Sequence, residues 1–422
     1  MYDSGLKTKD GLGNMIKTNK RFYESLIVLV LLVFISGGAN AFWGDSKEKK
    51  QLAMPIMPAE PVEVYWAGFA FLGDWNQRDT RYPYTAEIAG IDVQGEKGVS
   101  VIDTTLRKKI EGFKAPGFTL QHELGDLKTG NSVSVAIALS YEDIYVLPFD
   151  GDFKASYDIA MNVVVFDFDL KKVIAVYPLR FLRNEMYKNQ PTKEQHKEVI
   201  KDLFISNDRG FNLFDETIKR MQGMVIKSTH GMYLGVNSVE LGPKAKDKIP
   251  SKLLQDKIIE TQIAQQFERA LSKSAYVPMV PFTKGEVVGG RMSGRFSNGD
   301  SFEWKLPEKD YLINLKLRGF KEKTSSEHDG FTSLITLTVL KPSGKKTVNA
   351  KFSNNIWVLK AMTGENSIEG RWTIYEESLG KLINDLAEQI VSTDSDWLKK
   401  HSATKDVDEQ FEKFRSLLIK SQ

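Results

Sequence analysis

Residues 157–177 read YDIAMNVVVFDFDLKKVIAVY, two apolar runs on either side of the turn-like segment Asp169-Leu170-Lys171-Lys172. Apolar runs of this length, rich in valine and separated by a few polar residues, are typical of two β-strands joined by a short turn. Residues 331–352, FTSLITLTVLKPSGKKTVNAKF, have the same form, and their turn segment Lys341-Pro342-Ser343-Gly344 carries the proline and glycine that turns favour. The sequence therefore predicts one β-hairpin in each half of the chain.

Each predicted hairpin follows the same series of elements: a strand, a helix and a second strand. Strands are indicated by apolar residues at every second position, and helices by apolar residues about four apart. The predicted segments are strands at 62–72, 132–139, 232–241 and 311–318, and helices at 104–112 and 251–271. A helix also follows each hairpin. The first begins at Thr192, which has capping-box spacing with Gln195, and the second carries apolar residues from Leu379 to Ile390.

We therefore predict an α+β protein of two related modules, each an antiparallel or mixed sheet with helices packed on one face, plus a C-terminal helix. The predicted segments are a signal peptide (1–41), a linker (42–60), a first α/β module (61–222), a second α/β module (223–392) and an amphipathic helical tail (393–422). The matching hairpins also predict a duplication in which Met161–Val176 superposes on Ile335–Ala350. The tail can dock on its own chain or on a partner.

The second half resembles the domain shared by curli-secretion-channel components and the amino-terminal domain of the Tol-system protein B. The residues that carry the resemblance are Gly242-Pro243 after the first strand, the helix KIIETQIAQQFERAL (257–271), the strand DYLINLKLRGF (310–320) and the hairpin tip Gly344-Lys345. The same group includes periplasmic flagellar-ring accessory proteins. The resemblance implies an envelope scaffold or assembly role and brings no active site with it. The chain lacks the lipidation cysteine of the channel family, so pore formation is not implied.

The amino-terminal residues have the order of a secretory signal peptide. From Met15, the basic segment MIKTNKRFYES precedes the apolar run LIVLVLLVFI (26–35) and the small-residue motif Ala39-Asn40-Ala41. The apolar run is shorter than the roughly 20 residues that span a bilayer. We therefore predict cleavage after Ala41 and a mature chain with no transmembrane segment. We also predict that Met15 is the natural start, so that residues 1–14 come from a gene start placed too far upstream. The predicted location is periplasmic or outer-membrane-associated.

Charge and cysteine content exclude several classes of function. The chain of 422 residues has a net charge of +3, and residues 1–41 hold +2 of it, with five cations against three carboxylates. Because the rest of the chain is nearly neutral, we predict that the protein has no nucleic-acid partner. The absence of cysteine excludes disulfides, thiolate metal sites and cysteine nucleophiles. None of the five histidines has metal-ligand spacing with another, so we predict no catalytic residue, no cofactor and no metal site.

The isolated polar candidates are each predicted to have a structural role. His196 is predicted to lie on the surface or edge of a helix, and His328 in a polar hairpin loop. The carboxylate pairs Asp150/Asp152 and Asp167/Asp169 are the candidates for acid–base chemistry, and the favoured interpretation of both is structural. Asp167 and Asp169 share one strand face and are predicted to keep an edge strand soluble, with cation binding as the alternative, whereas Asp150 and Asp152 lack the further ligands of a calcium loop. The glycine-rich segment Gly285–Arg295 lacks the spacing of a phosphate loop and is predicted to be a bulged or flexible connection, with an anion contact at Arg291 and Arg295 as the alternative.

Aromatic residues are concentrated between Tyr65 and Tyr84, where seven of twenty residues are aromatic. Alternation places Tyr65, Phe69 and Phe71 on one buried strand face. Aromatic side chains also anchor glycans and protein partners. The predicted partner-binding residues, in this segment and in the tail, are Trp75, Tyr82, Tyr84, Phe411, Phe414 and Leu418.

The leading functional prediction is an exported, non-enzymatic component of an envelope assembly such as a secretion, pilus or flagellar accessory. Its expected partners are envelope proteins, with copies of itself as one candidate. The alternatives are a periplasmic glycan- or peptide-binding protein and a hydrolase whose site is assembled from scattered residues. A hydrolase requires a cleft in which several groups with shifted pKa values converge, whereas a scaffold is expected to show exposed sheet edges.

Overall fold

The computed structural model describes residues 60–90, 100–122, 133–149, 151–208, 210–227, 231–282, 287–288, 291–360, 368–392 and 396–422. Their strands are β1 (Val62–Leu72), β2 (Phe118–Gln121), β3 (Val133–Phe149), β4 (Asp152–Asp167), β5 (Lys172–Tyr187), β6 (Leu234–Leu241), β7 (Val287–Val288), β8 (Arg291–Phe296), β9 (Ser301–Lys305), β10 (Tyr311–Thr324), β11 (His328–Leu340) and β12 (Lys346–Leu359). Their α-helices are α1 (Arg78–Arg81), α2 (Thr85–Ala89), α3 (Val101–Ile110), α4 (Lys193–Lys201), α5 (Leu213–Gln222), α6 (Pro243–Lys246), α7 (Ser251–Leu254), α8 (Ile258–Ala275), α9 (Ile368–Val391), α10 (Asp396–His401) and α11 (Val407–Ser421). The predicted α+β class and C-terminal helix are confirmed.

The strands form two sheets that share one connectivity. In the first, the order β1-β3-β4-β5 begins with a parallel pair and continues with two antiparallel pairs. In the second, the order β6-β10-β11-β12 repeats this arrangement. A helix separates the two parallel strands in each case, α3 in the first and α8 in the second. Duplication as the origin of this likeness, and the module boundaries, stay predictions.

A hairpin from the second half of the chain completes the first sheet. Strand β8 pairs antiparallel with β1, and its partner β9 meets β5 at Lys172 and Lys305. The hairpin covers the sheet because Trp304 stacks on Phe166, with ring centroids 3.8 Å apart. Gly294 allows the close approach to β1, since a Cβ there would lie 2.5 Å from the carbonyl oxygen of Phe71. The segment predicted as a flexible connection is therefore in part strand β8.

Apolar residues fill one core under each sheet and a third core beneath the β8–β9 hairpin. The first core lies between β1, β3, β4 and β5 and the helices α2 to α5. The second lies between β6, β10, β11 and β12 and the helices α8, α9 and α11. The tail helix α11 places Phe411, Phe414 and Leu418 in the second core, each with 0% of its surface exposed. The tail thus docks on its own chain, and these three side chains are packing residues in this structure.

Buried polar contacts lie within the first sheet and between this sheet and helix α9. The guanidinium of Arg180 forms two bonds of 2.7 and 2.6 Å to Asp158, and the hydroxyl of Tyr141 donates to the same carboxylate. The hydroxyl of Tyr145 on β3 donates to Glu376 on α9 at 2.6 Å. Because a buried ion pair requires close geometry to offset its desolvation, the Arg180–Asp158 pair favours the observed pairing of β4 with β5, whereas the Tyr145–Glu376 bond joins the sheet to α9. Within the described residues, none of the helices has the length and apolar character needed to cross a bilayer.

Candidate functional site

The candidate site is a cleft beside an interruption in the edge of strand β1. On this edge, β2 pairs with Val62–Tyr65 and β8 pairs with Ala70–Leu72. Between them the register with β3 shifts at Gly68, whose φ of +94° lies in the region that glycine adopts readily. Among the described residues, no strand pairs with the segment from Trp66 to Phe69 on this side. Its backbone groups must therefore find other partners.

Asp103 and Ser297 bind the backbone groups of Phe69 that a neighbouring strand would otherwise pair with. One carboxylate oxygen of Asp103 accepts from the amide of Phe69 at 3.0 Å, and the other accepts from the hydroxyl of Ser297. The amide of Ser297 donates to the carbonyl of Phe69 at 3.0 Å. The hydroxyl of Ser100 caps α3 by accepting from the amide of Ile102, which places Asp103 in the first turn of that helix. Both polar side chains are thus bound to the backbone of Phe69.

Burial changes the acidity of Asp103. Removal from water disfavours the charged carboxylate and raises the pKa of Asp103 to about 6. The bond from the Phe69 amide and the positive charge of Arg107 act in the opposite direction. The group therefore takes up a proton under mildly acidic conditions.

The cleft has a volume of about 480 Å³. Its walls are formed by Trp66, Ala67, Gly68, Phe69, Asp103, Thr104, Arg107, Lys108, Glu111, His122, Phe296, Ser297 and Asn298. Arg107 and Lys108, on the second half of α3, are exposed at the rim beside Glu111 and His122. Within the part of the chain that the structure describes, the side chains of Arg107, Lys108 and Glu111 form no hydrogen bond or salt bridge, although the charge of Arg107 acts on Asp103. Protonation of Asp103 makes the lining more positive, so the cleft suits an anionic group best in mild acid.

The polar groups on the floor of the cleft are bound to one another and to the backbone. A hydrolase needs a nucleophile, a base and a group that orients the base. Here the hydroxyl of Ser297 and both oxygens of Asp103 are occupied by each other and by the backbone of Phe69. The other strongly buried acids with a raised pKa, namely Glu142, Asp143, Glu268 and Glu376, lie outside the lining. Among the described residues, no cluster of three ligating side chains could hold a metal ion.

The partner-binding residues predicted in the aromatic segment lie away from the cleft walls. Trp75 is half-buried against Phe71, with the guanidinium groups of Arg78 and Arg295 each 5.4 Å from its ring centre. Tyr82 is 1% exposed, because its hydroxyl reaches the carbonyls of Leu72 and Ser140. Tyr84 is half-buried with its ring 5.9 Å from that of His196. The prediction of a partner-binding role stays a prediction for Trp75 and Tyr84, whereas Tyr82 is a core residue.

The remaining polar candidates have internal partners. His196 is buried, not on the surface, and its Nδ1 lies 2.9 Å from the hydroxyl of Tyr157; burial lowers its pKa. Asp167 accepts from the amide of Leu170 in the β4–β5 turn, and Asp152 pairs with Lys188. Arg291 pairs with Glu303. His328 is half-buried at the start of β11, and Asp150 lies outside the described residues.

Sequence reasoning missed Asp103, Ser297 and the rim cations. Asp103 and Ser297 are 194 positions apart, and only the pairing of β8 with β1 brings them together. A local signal was available for the helix: Ser100 and Asp103 have the spacing of a capping box. That spacing would have moved the predicted helix start from Thr104 to Val101, but it gives no indication of the cleft.

Comparisons with known proteins do not assign a family or a function to this chain. No family model matches the chain, and no curated protein matches it. Among solved structures, protein XCC0632 from Xanthomonas campestris, of family DUF330, is 12% identical over 21% of this chain, with a TM-score of 0.15; the match spans half of that protein. A minor lipoprotein from Acinetobacter baumannii is 11% identical over 42% of this chain and 98% of its own, with a TM-score of 0.18.

A third match, an Ntf2-like protein involved in plasmid conjugation, is 11% identical over 54% of this chain and 76% of its own, with a TM-score of 0.11. TM-scores at this level carry no argument about fold or function. The resemblance to the curli-channel and Tol-system domains gains no support from these matches and stays a prediction.

Proposed function

We propose that this protein is an exported, non-enzymatic component of a cell-envelope assembly that binds an anionic segment of a protein partner in the cleft beside β1. The observation that carries the proposal is the contrast between the floor and the rim of the cleft. The polar groups of the floor are bound to the backbone of Phe69, whereas the side chains of the rim cations Arg107 and Lys108 form no hydrogen bond or salt bridge among the described residues, and Arg107 acts on Asp103 only through its charge. The signal-peptide pattern of residues 15–41 supports an exported location.

The rim favours a protein partner because its charges are held in a fixed place. Arg107 and Lys108 project from α3, which contacts β1 and α5, and Lys109 of the same helix forms an ion pair of 2.6 Å with Asp215. Unpaired cations on a rigid helix steer an acidic partner and set its orientation more than they add affinity. The apolar walls at Trp66 and Phe296 supply the surface that a partner side chain would bury.

The test is site-specific photo-cross-linking in intact cells. A photoreactive residue at Lys108 is expected to capture a defined envelope protein, identified by mass spectrometry. The matched control is the same residue at Lys219, which is exposed on α5 and outside the cleft. No adduct at Lys108, or the same adducts at both positions, would refute the proposed site.

A small-molecule ligand is the second candidate function. The cleft volume of about 480 Å³ falls within the roughly 300–1,000 Å³ of small-molecule sites, and aromatic rings form part of the wall. This reading makes the protein a periplasmic glycan- or peptide-binding protein. Native mass spectrometry of protein purified from the envelope would then show a bound ligand that is lost on Phe296→Ala substitution.

A further inference from the structure

A second surface lies on the sheet of the other half, far along the chain from the cleft. Helices α8, α9 and α11 cover one face of the β10–β11–β12 sheet. On the opposite face, residues of the three strands align in two neighbouring rows. One row is Lys323, Gly330 and Trp357, and the next is Lys321, Thr332 and Asn355. Neighbouring strands are about 4.8 Å apart, so the six residues form one compact grid.

Trp357 lies flat on this grid. A Cβ placed on Gly330 would be 2.9, 3.1 and 3.1 Å from three adjacent atoms of the six-membered ring of Trp357. Three nearly equal distances mean that the face of the ring covers the glycine. The side chain is nevertheless 50% exposed, so its other face is open to solvent. Glycine at position 330 is therefore what allows the indole to lie against the sheet.

Polar groups surround the open indole face without neutralising one another. Lys321 and Lys323 are exposed and form no ion pair among the residues that the structure describes. The acids of the same strands point elsewhere: Glu322 binds Tyr375 and Arg371 of α9 on the covered face, and Asp329 is buried. The grid is thus cationic and aromatic, with an additional hydroxyl on Thr332 and an amide on Asn355.

We propose that this grid binds an acidic polysaccharide. The open face of Trp357 stacks on a sugar ring, Lys321 and Lys323 pair with carboxylates of the chain, and Thr332 and Asn355 bond to hydroxyl groups. The two unpaired lysines supply the charge complementarity for an anionic chain. A flat aromatic face beside hydroxyl and amide groups favours a saccharide over an acidic polypeptide. The inference is independent of the cleft, since no residue is shared.

The test measures binding of the full chain to immobilised polygalacturonate, with soluble polygalacturonate, dextran and poly-glutamate as competitors. Trp357→Ala and the double substitution Lys321→Glu/Lys323→Glu are each expected to weaken binding by about tenfold or more. The matched control, Lys345→Glu/Lys346→Glu, makes the same charge change at the exposed β11–β12 turn and is expected to stay within about twofold. Polygalacturonate is expected to compete better than either dextran or poly-glutamate.

Several results would overturn the proposal. Equal losses in the two double-lysine variants would mean attraction by charge alone. Unchanged binding by Trp357→Ala would remove the stacking role, and stronger competition by poly-glutamate would assign the grid to an acidic polypeptide. Lys321 and Lys323 are exposed, so their substitution gives a result even if Trp357→Ala destabilises the sheet.

Discussion

Gly68 is the residue on which the shape of the cleft depends most directly. Its φ of +94° is unfavourable for any side chain, although space for a Cβ exists, since the nearest atom would be 3.5 Å away. We expect Gly68→Ala to lower the free energy of unfolding by about 1 kcal/mol or more because of backbone strain. Gly90→Ala, at a position with ordinary φ and similar space, is the control and should be near neutral. Urea unfolding measures both; equal effects would contradict the strain argument.

The same glycine explains a wrong prediction about the strand. Strict alternation placed Tyr65 with Phe69 and Phe71. The shift at Gly68 reverses the alternation, so that Val64 and Trp66 share the first core with Phe69 and Phe71. The apolar character of these side chains was enough to predict that they are buried. The face of the strand on which each one lies depends on a β-bulge, which the presence of a glycine alone does not reveal.

Substitutions of Asp103 can distinguish a structural role of this residue from a catalytic one. Asn at this position can still accept from the Phe69 amide, whereas alanine leaves that amide unpaired. We expect Asp103→Asn to fold and bind the partner nearly as well as the native chain, and Asp103→Ala to lose about 1–3 kcal/mol of stability. Denaturant unfolding and partner recovery are the measurements. Complete loss of cellular function in a folded Asp103→Asn protein would favour the hydrolase instead.

Among the elements, strand β3 and helix α8 carry the buried carboxyl groups that set the response to pH. Burial raises the pKa of Glu142 and of Glu268 to about 7, and that of Asp143 to about 6. Each folded-state pKa is above the unfolded value, so the stability these groups contribute is present below their unfolded pKa and is lost as pH rises through 6 to 7. His196, whose pKa is lowered, opposes the trend.

We therefore expect a higher thermal midpoint at pH 5 than at pH 7.5. Glu142 accepts from the amides of Tyr84 and Thr85 at the start of α2, and Glu142→Gln is expected to flatten the pH dependence because it removes one titrating group. Calorimetry of both proteins across this range is the measurement. A midpoint that rises from pH 5 to pH 7.5 would show that these acids are ionised in the folded protein.

The sequence of the tail helix predicts an amphipathic helix, but it does not show whether the apolar face packs on this chain or on a partner protein. Phe411 is fully buried in the second core, whereas Ile419 of the same helix is 55% exposed. We expect Phe411→Ala to cost about 3–5 kcal/mol of unfolding free energy and Ile419→Ala to cost under about 0.5 kcal/mol. Similar small effects for both would mean that α11 is not part of the core in solution.

At the scale of the elements, periodicity located β10, β11, β12 and the long helices because each buries one face, whereas β4 and β5 appeared as continuous apolar runs because both of their faces are buried. The hairpin β8–β9 was not anticipated, since its glycine-rich start lacks an apolar alternation. Its position depends on Trp304 stacking against Phe166, a contact between residues distant in the chain. Local pattern therefore predicts which segments are regular, whereas side-chain contacts across the chain decide which sheet they join.

At the scale of the whole molecule, the fold class and the order of the main strands and helices were predicted, but the β8–β9 hairpin and the cleft were not. The cleft exists only where α3, the edge of β1 and the start of the β8–β9 turn meet. The near-neutral composition was equally uninformative, since unpaired cations at two separate sites are cancelled in the sum by acids elsewhere. Both proposed binding sites depend on the distribution of charge over the surface and not on its total.

The central claim is that the cleft beside β1 binds a protein partner without catalysing a reaction. The most direct measurement is the amount of partner recovered with the full chain from cell envelopes, for Arg107→Glu/Lys108→Glu and for a control with the same charge change, Lys219→Glu/Lys273→Glu, at exposed positions outside the cleft. We expect the rim variant to recover about tenfold less partner and the control to match the native chain. Equal recovery by the rim variant and the native chain would contradict the claim.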